Sequence, residues 1–260
     1  MKKLRKKRGI LKNPWFWIIL LFLTFGGLFF YAVFFWGKIQ ISKVEVLGAN
    51  RVQPPDIESV VLKSIDKKMI SAGLLNVSSK SFFIADAKKI SEGILSNFPD
   101  VENADVFKKF PNGISLTIKE REPFAVFLGS EEKYFLMDRN GVIFNELEKA
   151  PDDMALIRGG DYNNKKSLGQ EVVSKKTAEM IYKVENSLKD NFQVEVLEIE
   201  ADDIIMFKTS ENWRIYLDPN SDAELQIAKM NSLLNDEIKP EKRKKLEYIY
   251  LQYGARAYYK

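Results

Sequence analysis

Three pairs of neighbouring acids, Glu131-Glu132, Asp152-Asp153 and Asp202-Asp203, are the residues with the plainest chemical potential. Carboxylate pairs cleave glycosidic bonds when their side chains converge across a cleft. Sequence neighbours on a strand point to opposite faces, so solvated turns explain these pairs better. The 260 residues contain neither Cys nor His. That excludes zinc centres built on thiolate or imidazole, haem held by His, Cys nucleophiles and Ser-His-Asp triads. Neither GxGxxG nor a phosphate-binding loop is present. The expectation is a protein with no catalytic residues, no cofactor and no metal, hence not an enzyme.

What remains is binding chemistry. Tyr248, Tyr250, Tyr253, Tyr258 and Tyr259 crowd one short stretch. Tyrosine offers apolar area with a polar tip, which suits interfaces. Alternating tyrosines also follow from strand propensity with half of the rings buried, and Ile249 and Leu251 would lie on the opposite face. Lys242-Arg243-Lys244-Lys245 could touch anionic headgroups or cell-wall polymer, although a solvated connection between helix and strand is the simpler reading. Glu120-Arg121-Glu122 could bridge two domains, and local surface pairs, each worth about 0–1 kcal/mol, explain it as well. Asn76-Val77-Ser78 matches a glycosylation acceptor by pattern alone.

Charge placement points to a membrane. Lys2, Lys3, Arg5, Lys6, Lys7, Arg8 and Lys12 stand in residues 1–13 without an acid. Removing these seven from the 40 basic residues leaves 33 against 36 acidic ones, so the remainder is slightly acidic. Nucleic acid would need a basic folded face. Residues 13–37 carry no charge, and Trp15 to Trp36 is a continuous apolar run with Trp15, Trp17, Tyr31 and Trp36 toward its ends. A helix of that length spans about 33 Å, enough for a hydrocarbon core of about 30 Å. The run is long for a signal peptide and ends in bulky residues instead of a cleavage site. A buried core helix would show a polar stripe. The cation excess before the span puts residues 1–13 in the cytoplasm and 38–260 outside.

Beyond the span, residues 39–46 read as a strand. Pro54-Pro55 open a helix with Ile57, Val60, Val61 and Ile65 on its apolar face. Asp86 caps a second helix with Ala87, Ile90, Ile94 and Leu95 facing inward. Strands follow at 101–107 and 114–118, around a turn at Pro111-Asn112-Gly113. The order is strand, helix, helix, strand, strand. Later come strands at 124–128 and 134–137, a hairpin turn at 138–141 and a return at 142–144. Residues 145–170 read as loop. Ser174 caps a helix bearing Ala178, Ile181, Val184 and Leu188. A meander follows at 194–199, 204–208 and 213–217. Ser221-Asp222-Ala223-Glu224 reads as a capping box for a helix burying Ile227, Met230, Leu233 and Leu234. The last hairpin pairs 246–253 with 255–259 across Gly254. The fold class is α+β: a single transmembrane helix, a β-α-α-β-β domain, then a β-rich domain whose antiparallel sheet is flanked by helices.

This layout resembles the FtsQ/DivIB family of bacterial cell-division proteins over nearly the whole chain. ISKVEVLGANRV resembles the opening of that family's polypeptide-transport-associated (POTRA) domain. FPDVENADVFKKFPNGISLTIKEREP resembles its second helix end, strand pair and exit. FLMDRNGVIF resembles the first hairpin of the family's β domain, and LEYIYLQYGARAYYK its closing strands. The closing strand of the family usually reads close to D-L-R-Y; here Tyr250-Leu251-Gln252-Tyr253 lacks the acid and the Arg. Asp100 stands after Pro99 where the family often has Trp. The resemblance implies a cytoplasmic tail at 1–13, a transmembrane helix at 14–37, a POTRA domain at 38–120 and a β domain at 121–260. It implies a scaffold at the division septum, in the cell membrane, binding FtsB/FtsL-like single-span coiled-coil proteins and other division proteins and linking them to septal peptidoglycan synthesis. Its contact with lipid would be through 14–37, with no nucleic acid bound. Capture would be by strand addition to a free sheet edge, with Tyr250, Leu251, Gln252, Tyr253, Tyr258 and Tyr259 as the partner-binding residues, at a terminus where nothing downstream need cover them. A membrane-anchored POTRA transport or assembly factor is the alternative; such factors usually carry several POTRA units or a barrel.

Overall fold

The computed structural model of the chain describes residues 14–72, 75–159, 165–254 and 256–260. The basic tail 1–13, together with Gly160, Asn163 and Asn164 of the expected loop and Ala255 of the last hairpin, lies outside the described residues. The chain forms two compact units that divide between Glu120 and Arg121.

The first unit starts with α1 (Pro14–Phe35), which buries none of its side chains. Thr24 returns its hydroxyl to the carbonyls of Leu20 and Leu21 at 3.1 and 2.9 Å, so its polar group needs no solvent. Helix ends leave carbonyls without partners. Here Ser81 Oγ and Gln40 Nε2 donate to the carbonyls of Val33 and Phe34 at 2.6 and 2.7 Å, and Ser79 also reaches Phe34. The exit of the helix is thereby tied to the folded part.

Strand β1 (Lys43–Leu47) leads to α2 (Pro54–Ile65), where the prolines occupy the first turn. A hairpin, β2 (Lys67–Ala72) and β3 (Leu75–Ser79), precedes α3 (Ala87–Asn97). Then β4 (Val101–Lys109) and β5 (Gly113–Glu120) complete a sheet of order β1-β5-β4, with β1 parallel to β5. Ile57, Val61, Ile65, Ile90 and Ile94 pack with Ile114, Leu116 and Ile118. Asp86 accepts from the amides of Lys88 and Lys89, as a cap should. Two details differ from expectation. The β2–β3 hairpin was not anticipated, because its strands are short and lack clean alternation. Leu95 is exposed: it lies one residue, about 100° of helix rotation, beyond buried Ile94.

The second unit contains β6 (Pro123–Leu128), β7 (Tyr134–Asp138), β8 (Ile143–Leu147), β9 (Leu156–Arg158), α4 (Lys175–Phe192), β10 (Val196–Ala201), β11 (Ile205–Thr209) and β12 (Arg214–Leu217). Helices α5 (Ala223–Ser232) and α6 (Pro240–Arg243) come next, with one wide helical turn at Leu233–Glu237 after α5. Strands β13 (Tyr248–Tyr250) and β14 (Tyr258–Tyr259) follow. The nine strands run β14-β13-β12-β11-β10-β9-β6-β7-β8. Most pairs are antiparallel, but β9 is parallel to β6 and β10, and β13 is parallel to β12, so the sheet is mixed. Its core joins Phe127, Phe207, Trp213 and Ile249 to Ile181, Val184 and Leu188 of α4 and Met230 of α5.

Residues 145–170 are not all loop. The end of β8 and the central strand β9 lie there, and β9 escapes notice because three residues give no period. The N-cap of α5 is Asp222, whose carboxylate accepts from Leu225 N–H at 3.1 Å, so the capping box is absent. Ser221 instead donates its hydroxyl to Asp218. Arg243 is buried, unlike a solvated basic run: its guanidinium lies over Phe192 and pairs with Glu211 at 3.5 Å.

Candidate functional site

The hydrogen-bond register decides which backbone groups at the end of the nine-stranded sheet are free to pair. Tyr248 and Lys260 exchange both N–H···O bonds, at 3.4 and 3.2 Å. In an antiparallel ladder the exchanging pairs recur every second residue, so Tyr250 and Tyr258 form the next one, in agreement with their register. The polar groups of Tyr258 and Lys260 therefore face β13. Those of Ala257 and Tyr259 face away from it, where no described strand pairs with β14.

Side chains sort by the same register, because direct cross-strand partners share a face. Ile249 and Leu251 are fully buried in the core beneath the helices. Tyr259, opposite Ile249, points to that helical side, and its hydroxyl donates to Glu237 Oε2 at 3.1 Å. That bond, then the charge of Glu237, raises the phenol pKa of Tyr259. On the other face Glu200, Met206, Tyr216, Tyr250 and Tyr258 stand opposite one another across five strands. Tyr250 is the hub, with ring centroids 4.7 Å from Tyr216, 4.6 Å from Tyr248 and 6.1 Å from Tyr253, and Tyr253 lies 5.7 Å from Tyr258. Burial, then its neighbouring phenols, raises the pKa of Tyr250, so it stays neutral at physiological pH.

Of the six candidate residues, Tyr258 and Tyr259 lie on the open edge, with exposed side chains. Tyr253 is exposed in the adjoining turn and joins the ring cluster. Tyr250 sits one strand inward, between β12 and β14. Leu251 offers no side chain to a partner. Gln252 is part-buried, and its Oε1 is enclosed with no donor in reach.

Lys229 holds the turn in place. From α5 its ammonium donates to the carbonyls of Leu251 at 2.8 Å and Gly254 at 2.5 Å, and burial lowers its pKa. Gly254 takes φ +55°, a left-handed conformation that glycine adopts cheaply. Sequence reasoning missed Lys229 and Glu237, since a Lys reaching carbonyls some 25 residues away leaves no local pattern.

The other charged candidates have local roles. Glu120 Oε1 accepts from the amides of Asn50, Arg51 and Val52 at 2.9, 2.8 and 3.0 Å. Burial works to raise its pKa, but those amides and the Arg51 side chain outweigh burial and lower it. Arg121 pairs with Asp138 at 2.5 Å inside the second unit. Asp138 also accepts from the amides of Asn140 and Val142, fixing the hairpin turn. Exposed Asp152 and Asp153 rim a groove of about 400 Å³ also lined by Phe124, Tyr182, Glu185 and Lys189. Burial pushes the Glu185 carboxyl up to about 8 against the opposing effect of Lys189. Among the described residues no group of acids is placed to hold a metal ion.

Comparison with known proteins agrees with this architecture. A model of the FtsQ-type POTRA domain family matches residues 62–121. The chain is 31% identical over 133 residues to a cell division protein DivIB of Clostridium acetobutylicum, covering 49% of this chain and 51% of that protein. It is 31% identical over 117 residues to a DivIB of Clostridium botulinum, covering 43% and 44%. It is 23% identical over 132 residues to a cell division protein FtsQ of Streptomyces venezuelae, covering 51% and 43%. The chain thus spans about half the length of the curated relatives it matches. An apolar helix long enough to cross a bilayer and a β-rich second unit flank the residues that match the FtsQ-type POTRA domain, and over about half of its length the chain is similar to the cell division proteins DivIB and FtsQ.

Proposed function

We propose that the protein is a non-catalytic, single-pass scaffold of the division machinery that captures a partner strand on the outer edge of β14. Residues 1–13 lie in the cytoplasm, 14–37 cross the cell membrane, and 38–120 and 121–260 are the POTRA and β domains outside it, at the septum. The partners are small single-span coiled-coil proteins of the FtsB/FtsL kind, linked through the scaffold to septal peptidoglycan synthesis. The observation that carries this reading is the open edge: the outward N–H and C=O groups of Ala257 and Tyr259 form a template for one more strand. The tyrosine row beside it gives side-chain area for recognition.

Photoreactive residues at Tyr253 and Tyr258 in living cells test the interface. The expected product is an adduct with a small single-span protein, absent when the probe is at Tyr134 in β7. Depletion should give filaments that segregate DNA without septating. Adducts from Tyr134 but neither edge position would move the interface elsewhere, and normal division after depletion would remove the cellular role.

A further inference from the structure

The first unit presents an aromatic and basic rim beside the exit of α1. Phe83 and Phe110 are exposed, 53% and 71% respectively, where a water-facing domain gains nothing from phenylalanine. They share one cluster: Phe82 makes edge contacts with Phe83 at 5.8 Å and Phe110 at 5.6 Å, and the ammonium of Lys108 lies 4.7 Å from the Phe82 ring centre. Lys80 precedes Phe82 by two residues, and Lys38 follows α1 with its ammonium 5.8 Å from the Trp36 ring centre.

Hydrogen bonds fix where this rim lies along the helix. The Phe82 amide donates to the Ile39 carbonyl at 2.9 Å, and the Lys80 amide donates to Gln40 Oε1 at 2.8 Å. Ser79 and Ser81 hold the carbonyls of the last helical turn. At the other loop, the amides of Ser42 and Lys43 donate to the Asn112 carbonyl, which brings the β4–β5 turn to the same place. Residues 79–82 therefore abut the C-terminal end of α1, at the depth where a spanning helix leaves hydrocarbon for headgroups, and the Phe82–Phe110 ring contact joins the β4–β5 turn to them. Aromatic rings and lysines are the side chains that bilayers accept at that depth. Glu45 beside Phe110 is paired with Lys109 at 2.6 Å, and Lys38, Lys43, Lys80 and Lys108 outnumber the remaining nearby acids Glu58 and Asp86.

We infer that Phe82, Phe83 and Phe110, with Lys38, Lys80 and Lys108, seat the POTRA domain in the headgroup layer of the leaflet at the C-terminal end of α1, against anionic phospholipid. The exposed rings of Phe83 and Phe110 reach the acyl boundary, Phe82 backs them against the core, and the ammonium groups meet lipid phosphates, that of Lys108 while also donating to the Ala85 carbonyl at 3.0 Å. The inference rests on α1 spanning the bilayer, and continuity with that span is what selects lipid as the occupant.

The chain lacks Cys, so single-cysteine variants of the full protein can be spin-labelled directly. Nitroxides at Phe83→Cys and Phe110→Cys, in nanodiscs with and without phosphatidylglycerol, are compared with Ser96→Cys at the far end of α3 and Leu23→Cys inside α1. Collisions with oxygen should exceed those with a water-soluble nickel chelate at positions 83 and 110, and more so with anionic lipid. The ratio should reverse at 96. Chelate-dominated signals at 83 and 110, or no response to phosphatidylglycerol, would overturn the inference while a hydrocarbon-like signal at 23 upheld the span. An aqueous signal at 23 would overturn both.

Discussion

Replacing Glu185 with Gln should stabilise the second unit above neutral pH and change little in acid. Glu185 lines the groove together with Phe124 and Tyr182, and burial lifts its pKa from 4.5 to about 8. In the unfolded chain the group ionises near the usual carboxylate value. Between about 4.5 and 8 the folded state therefore holds a proton that the unfolded state has lost. Stability falls as pH rises through that window and levels off above it. The full shift corresponds to about 5 kcal/mol. Glu185 is only part-buried and the groove opens to solvent, so screening reduces the effect to about 1–2 kcal/mol. Gln keeps the shape and cannot ionise. Urea unfolding of the detergent-solubilised chain reads this through Trp213, which is fully buried in the second unit, once Trp15, Trp17 and Trp36 are replaced by Phe. The Gln variant should gain about 1–2 kcal/mol at pH 8.5 and a few tenths or less near pH 4. Equal stability at both pH values, or a loss at pH 8.5, would refute the burial argument.

Glu120→Gln should cost about 1–2 kcal/mol, since a neutral oxygen holds the three amides more weakly than a carboxylate. Because the folded pKa of Glu120 is lowered, its contribution is present above the usual carboxylate range and lost as pH falls through the folded value, so exchange of α2 amides in wild type and variant should converge in acid. Lys229→Met should accelerate amide exchange in residues 251–260 about 10- to 100-fold through loss of two charge-assisted bonds, while α4 keeps its protection. Leu251→Ala should cost about 2–5 kcal/mol as a core truncation. Tyr253→Ala should stay within about 0.5 kcal/mol in stability and still weaken partner co-purification.

How far the sequence could be read depended on how locally each feature is encoded. Helix α4 was legible because Ala178, Ile181, Val184 and Leu188 repeat at helical spacing and Ser174 caps them. Strand β5 was legible from the alternation of Ile114, Leu116 and Ile118. Strand β9 was not, since its place between β6 and β10 is set by partners distant in sequence. At the candidate site, the division between inward Ile249 and Leu251 and outward Tyr248 and Tyr250 followed from period two. Which strand carries the open edge did not, because that depends on the pairing of β13 with both β12 and β14. The clamp by Lys229 and the Tyr259–Glu237 bond depend on tertiary placement and leave no trace in spacing.

Residue-resolved hydrogen exchange on the full chain, alone and with the small coiled-coil protein proposed as its partner, reports on the edge through the register itself. The amides of Ala257 and Tyr259 point outward and should exchange fast in the free protein, whereas those of Tyr258 and Lys260 are held by β13. Adding the partner should slow Ala257 and Tyr259 by at least about tenfold, the weight of one ladder hydrogen bond. Partner binding that leaves those two amides fast while protecting others would show that the outer side of β14 is not where the strand docks.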